Sequence, residues 1–414
     1  MIRRLGPLLA LAVLTAPARL KVRDTPEHRQ RASDQTIRVL LGGTAATSRI
    51  SSPEGFVLVD RENALAARAE RNQAWRVERG GGRVRAIRPD GVPTVWKDAL
   101  RARPNGDGLL SVDGKPYRGE IVFVAGDSGV AVINVLPMDD YLMGVVPLEM
   151  GVRSASDSAA VQAQAVTARS YAYIHLTPNR PYDVTGGTLD QLYGGVAAEN
   201  AIASQAVEST RGLVLRYAGR VVNAPYHSTC GGTTAASSEI WRSEDEPYLR
   251  QVSDRIPGSE RFYCDIAPRF SWTRRLDART LNAAMAQYLA RYANVPSTGA
   301  GSVRGVTIAS HTLSGRVGTV TVSTDRGNFS LRGNDIRYVL RAPGDEILNS
   351  TYFSLDQSSA SDGSLAQLVI RGFGYGHGVG MCQWGAIGRA RAGQDFRTIL
   401  RAYYPGTSVG PAGS

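Results

Sequence analysis

The sequence predicts a mixed α+β protein, with a helical core flanked by a β-rich N-terminal unit and an inserted β-rich subdomain. Three observations predict it. Short alternating apolar runs broken by Gly, Asp and Pro fill residues 36–135. An alanine-rich stretch of helical period follows Leu136. Alternation returns after residue 270, before a closing helix at the C-terminus.

The elements follow in order. Met1-Ile-Arg3-Arg4, the apolar run Leu5 to Leu14 and the small-residue site Ala16-Pro17-Ala18 have the three parts of a secretory signal peptide, residues 1–18. Export is therefore expected, to the periplasm or the cell wall. An uncleaved signal would instead anchor the chain to the outer face of the cytoplasmic membrane. Residues 19–35 read as a polar linker. In 36–135, strands are expected at Ile37–Leu41, Gly55–Val59, Thr94–Trp96, Gly119–Val124 and Val130–Val135. Residues 136–270 begin with Asp139 and Asp140 in the first turn of a short helix that runs to about Val146. Ser156 or Asp157 caps a longer helix through His175, with Val161, Ala165, Ala168 and Ala172 on one face that another element can approach closely. A third helix, about Ala198 to Thr210, ends at Gly212, and strands Leu213–Tyr217 and Val221–Tyr226 follow. Residues 271–366 read as an insert, with a helix at Ala278–Tyr292 and a strand at Arg316–Val322. Residues 367–407 hold a glycine-rich segment and a helix at Phe396–Tyr404 capped by Asp395.

A net charge of +11 points to an anionic partner. Outside the membrane that means cell-wall polymers or lipid headgroups rather than nucleic acid, although scattered arginines also suit a solvated surface. In an oxidising compartment Cys230 and Cys264 form the expected disulfide, because both flank one candidate site loop. Cys382 is left over, and the other two pairings remain open. No metal is expected, since three cysteines and five histidines offer no C-x-x-C or H-x-x-x-H spacing.

The segment Gly372–Gly385 alternates glycine with Tyr375, His377, Gln383 and Trp384, which reads as a polar and aromatic surface for a sugar face. Glu149 stands in an apolar setting between Val145-Val146-Pro147-Leu148 and Met150. Apolar surroundings resist ionisation, so such a carboxyl suits a general acid acting on a glycosidic oxygen. The other reading is an acid that reaches water just after a helix end. His227 and His377 each allow a base, a sugar ligand or a satisfied core histidine. Ser228 is a poor partner for His227, because neighbours on a strand face opposite ways. Asp183, Asp190, Gln191 and Tyr193 either line a groove or form turns.

Five motifs in this order closely resemble the SpoIID/LytB family. They are Leu136-Pro-x-x-Asp140-Tyr-Leu-x-Gly-Val-Val-Pro-x-Glu149-Met150; Ala163-Gln-Ala-Val-x-Ala168-Arg169-Ser-Tyr171-Ala172; Asp190-Gln191-x-Tyr193-x-Gly195; Tyr226-His227-Ser228-Thr229-x-Gly-Gly-x-Thr234; and Gly376-His377-Gly-Val-Gly-Met-x-Gln383-Trp384-Gly-Ala386 with Tyr403-Tyr-Pro-Gly406. The resemblance spans about residues 36–407. It implies lytic transglycosylation of peptidoglycan, cleaving the β-1,4 bond from N-acetylmuramic acid to N-acetylglucosamine on peptide-stripped glycan strands. Glu149 would be the acid/base and a 1,6-anhydro sugar the product, with no cofactor. Arg169, Tyr171, Gln191, Tyr193, His227, Ser228, His377, Gln383 and Trp384 take roles in binding substrate or holding Glu149, with Arg169 as a buried structural ion the alternative. Leu189-Asp190-Gln191 replaces a zinc-binding His-Cys pair of some members, so that zinc is not carried over, and Gly151 replaces a frequent proline. Two other readings stand beside this one: a wall-binding protein that activates an N-acetylmuramoyl-L-alanine amidase, and a metal-dependent hydrolase using His227 and His377.

Overall fold

Strand Thr36–Gly42 is the first element of a computed structural model that describes residues 35–413 apart from positions 44, 342 and 343. The expected signal peptide and residues 19–34 of the linker lie outside the described residues. Residues 36–137 form eleven strands in two sheets. Thr36–Gly42 pairs antiparallel with Val130–Pro137 on one side and parallel with the short Val184–Thr185 on the other. Their alternation is that of a sheet with one buried face, as in Glu120–Ala125, where Ile121 and Phe123 point inward. No strand forms at the expected Thr94–Trp96, where Pro93 and Lys97 make single bridges only.

Helix α1 spans Met138–Met150 and α2 spans Ser158–Ile174. Helix α3, Ala201–Ser209, is capped by Asn200, whose side-chain oxygen accepts from the Ala203 N–H at 3.0 Å. Helix α4 is the single turn Ser237–Ile240, α5 is Ala278–Tyr288, and α6 is Asp335–Val339. Helices α7, Gln383–Arg391, and α8, Phe396–Tyr403, close the chain, with Asp395 capping α8 through the Thr398 N–H at 2.7 Å. Among the described residues no helix is long and apolar enough to cross a membrane.

The alanines of α2 do more than clear one face. Ala160, Ala163, Ala165, Ala168 and Ala172 are all fully buried, and α1, α3, α7 and α8 pack around them. One apolar core runs from Ile37 and Phe123 of the first sheet through Tyr141 and Val145 of α1 to Met381 and Tyr403 near the C-terminus. A second core, from Leu276 to Ile370, belongs to the insert. Strand Ser271–Asp277 pairs antiparallel with Leu365–Phe373, so the insert leaves and returns at one place.

Candidate active site

α1 supplies the acid. Pro147 lies inside the helix, yet the chain stays helical one turn past the expected end at Val146 and closes with the Gly151 N–H donating to the Pro147 carbonyl at 2.8 Å. Tertiary burial of Tyr141, Val145, Val146 and Met150 outweighs the lost backbone bond. Glu149 therefore sits on the last helical turn, half-buried, rather than beyond it. Its Oε1 accepts from the Leu192 N–H at 3.2 Å, and Tyr226 and Gln383 also bond to the carboxylate. Burial raises the Glu149 pKa above the ordinary carboxyl value, and these three partners draw it partly back.

The carboxylate faces a cleft of about 560 Å³ lined also by Tyr171, Asp190, Gln191, Tyr226, Trp241, Arg337 and His377. Gln191 is buried and bridges two hydroxyls, accepting from Tyr141 at 3.1 Å and donating to Tyr226 at 3.0 Å, which fixes the ring that contacts Glu149. Asp190 is fully engaged. Its Oδ2 accepts from the Thr185 N–H at 2.9 Å and hydroxyl at 2.8 Å, and its Oδ1 from the Tyr171 hydroxyl at 3.2 Å. The loop 191–195 reaches α1 because Gly144 has no side chain, a Cβ there meeting Tyr193 at 2.6 Å. Trp241 leans on His377 with ring centres 5.1 Å apart, an aromatic wall on the far side. Arg337, on α6 of the insert, donates to the Leu348 carbonyl at 2.8 Å and the Asn334 side chain at 3.0 Å. Burial lowers its pKa to about 10, and it has no carboxylate partner among the described residues.

The family described as Stage II sporulation protein matches residues 126–217, the stretch that holds α1, α2 and Glu149. An uncharacterized protein of Brachyspira hyodysenteriae is 31% identical over 72% of this chain and 74% of its own length. The amidase enhancer of Bacillus subtilis is 30% identical over 76% of this chain, which covers 47% of that protein. The stage II sporulation protein D of Bacillus subtilis is 27% identical over 76% of this chain and 85% of its own length. The chain belongs to the SpoIID/LytB family. A second match, residues 259–380, is to a domain of unknown function and covers the insert. A cell-wall-related role follows for this SpoIID/LytB protein.

Several of the residues expected to bind substrate or hold Glu149 lie outside the cleft lining. Arg169 is fully buried, with Nε and Nη2 donating to Asp139 Oδ1 at 2.9 and 2.7 Å and Nη1 to the Leu213 carbonyl at 3.0 Å. It ties α2 to α1 and does not line the cleft. The Tyr193 hydroxyl donates to Asn134 at 2.7 Å beneath α1. His227 is buried behind His377, with Nδ1 3.1 Å from the Val379 carbonyl, and burial drops its pKa to about 3. Ser228 and Trp384 are half-buried outside the cleft lining, joined by the Trp384 N–H to the Ser228 carbonyl at 3.0 Å, and Arg153 lies over the Trp384 ring at 4.8 Å. His377 does reach the cleft. Its Nε2 is 2.8 Å from the Tyr226 carbonyl and its Nδ1 accepts from the Val379 N–H at 3.1 Å, so both ring nitrogens are used and a His227–His377 metal pair is ruled out.

The glycines of this segment serve chain packing, while its His377 lines the cleft and its Gln383 contacts Glu149. Tyr226–His227 pairs parallel with Met381–Cys382, and a Cβ at Gly380 would stand 2.1 Å from the Pro225 carbonyl oxygen. The expected disulfide is also absent. Cys230 and Cys264 keep their sulfurs 3.6 Å apart, unbonded, and Cys382 shares their pocket, so no isolated pair exists there. Trp241, Arg337, Asn223, Tyr338 and the Tyr226 hydroxyl are among the cleft groups that the site assignment did not include.

Proposed function

We propose that this is an exported peptidoglycan lytic transglycosylase that cuts peptide-stripped glycan strands at the muramic acid anomeric carbon. The observation that carries the reading is Glu149: one carboxyl in a cleft, raised in pKa by burial and oriented by Leu192, Tyr226 and Gln383. In its protonated form Glu149 gives its proton to the bridging oxygen as the glycosidic bond breaks and positive charge develops at the anomeric carbon. The resulting carboxylate then takes the proton of the same sugar's C6 hydroxyl, whose oxygen closes the 1,6-anhydro ring. Glu149 ends as the carboxylic acid it began as, its proton restored, and no water enters the product. Because the nucleophile is intramolecular, one free carboxylate suffices, which suits a cleft whose other acid, Asp190, is occupied by Tyr171 and Thr185. Arg337 offers a cation where a muramic acid freed of its peptide carries a lactyl carboxylate.

The test is product analysis by mass spectrometry after incubation with peptide-free strands. Wild type is expected to leave anhydro ends, while Glu149→Gln lowers turnover by at least about 100-fold with binding retained. Hydrated reducing ends would mean a hydrolase. Intact strands with both proteins would favour the second reading, wall binding that activates an amidase, which the kinship with an amidase enhancer supports.

A further inference from the structure

Cys230, Asp254, Cys264 and Cys382 meet outside the cleft lining, all four buried, with their ligand atoms within 4.8 Å of one another. We propose that these four side chains form a structural zinc site. It goes beyond the reading of the cleft and does not depend on it. It is also not the His-Cys position of some relatives, which falls at 189–191 in this chain.

The donor set is tetrahedral in number and chemically apt, three thiols and one carboxylate with no place left for water in so buried a pocket. Zinc holds sulfur at about 2.3 Å, so two sulfurs on a tetrahedron stand about 3.8 Å apart. Cys230 and Cys264 stand at 3.6 Å.

The surroundings are those of an anionic centre. Cys382 precedes α7, and its sulfur accepts two backbone N–H groups, from Cys230 and from Gly385, each at 3.2 Å. Those donors favour a thiolate. Asp254 Oδ1 is held by the Tyr403 hydroxyl at 2.7 Å and Arg389 Nε at 3.2 Å, which turns Oδ2 toward Cys230 Sγ at 3.9 Å. A side chain at position 385 would crowd that arrangement, since a Cβ would lie 2.3 Å from Asp254 Oδ2. Arg316 is fully buried with Nε and Nη1 unpartnered, while its Nη2 donates to the Cys230 carbonyl at 2.8 Å. A buried guanidinium with no hydrogen-bonded carboxylate is costly unless negative charge lies near; Glu239 contributes part of that charge, and a thiolate-rich zinc centre would supply more.

A disulfide between Cys230 and Cys264 would account for only two of the four groups. It would leave Cys382 with two donors aimed at its sulfur and Asp254 buried beside a neutral sulfur pair. Zinc uses all four, releases the thiol protons to solvent, and joins the loop at 230, the loop at 254–264 and the start of α7. Gln383, which contacts Glu149, is the residue next to Cys382.

The experiment uses the full chain purified without chelator or reductant. Elemental analysis is expected to find about one zinc per chain. Thiol titration should find the three cysteines protected until a chelator is added. Replacing zinc by cobalt(II) alone should produce the near-ultraviolet thiolate-to-metal absorption. Tyr403→Phe keeps all four ligands, removes the hydrogen bond that orients Asp254, and should weaken zinc by about 10–100-fold in competition with a chromophoric chelator. Cys382→Ser should lose the cobalt band, and if that variant does not fold, the wild-type spectrum and Tyr403→Phe decide. An intact mass showing a Cys230–Cys264 disulfide, a reduced chain that takes up neither metal, or unchanged zinc affinity in Tyr403→Phe would overturn the site.

Discussion

Glu149 is held where its ionised form is poorly solvated, which sets a pH signature on both activity and stability. Burial raises its folded pKa above the value in an unfolded chain, so the folded state binds this proton more tightly. Stability from this group is therefore full below the ordinary carboxyl range and is lost as pH rises through the raised value. Glu149→Gln removes that loss. Its melting temperature should exceed wild type above the raised pKa and approach it near pH 4, which calorimetry at both ends would check; an equal or lower value at high pH would mean that the carboxylate is well solvated. In the proposed transglycosylation the protonated acid starts the reaction, so activity should fall as pH rises through the raised pKa. The Tyr226 contact lowers that pKa, so Tyr226→Phe should move the alkaline limb of kcat/KM upward. A limb that stayed in place would remove Tyr226 from the control of Glu149.

At the scale of elements, the pair Arg169–Asp139 joins α1, α2 and the start of strand Leu213–Tyr217. Arg169→Met leaves Asp139 buried without its cation, which costs about 3–5 kcal/mol. Urea unfolding should show that loss, whereas Arg169→Met with Asp139→Leu should recover most of it. This pair also shows what the sequence could and could not convey. The acid in an apolar frame and the small-residue face of α2 were legible, because both are local patterns with a physical meaning. The partner of Arg169 lies thirty positions away on another helix, and nothing local distinguishes a buried arginine from one that binds a ligand. The helix end expected near Val146 failed for the opposite reason, because burial of Val145, Val146 and Met150 carries the helix on through Pro147. The glycines of 374–380 were ambiguous in kind, because absence of a Cβ admits a ligand and a second backbone equally well, and only the strand at Tyr226–His227 decides between them. The four groups around Cys382 are 24, 10 and 118 positions apart in turn, a spacing that no short motif can display.

At the scale of the molecule, the cleft is shared between the helical region and the insert. Glu149 comes from α1, while Arg337 and Tyr338 come from α6 and Asn334 from its cap, beside Ile336 and Val339 of the second core. The carboxyl and the guanidinium that line the cleft thus stand on different units. Replacing Arg337 would also remove its bonds to Leu348 and Asn334, so the substrate is the better place to intervene. Reducing the lactyl carboxyl of peptide-free strands to an alcohol leaves the glycosidic bond and the C6 hydroxyl untouched and removes the charge that Arg337 would meet. A hydrogen bond to a charged group contributes about 1.5–3 kcal/mol, so kcat/KM should fall by roughly tenfold or more. Strands that still carry peptides on that carboxyl should be cut as poorly as reduced ones. Equal rates on native and reduced strands would place the lactyl group away from Arg337 and leave the guanidinium with a purely structural part, holding α6 against the Leu348 carbonyl.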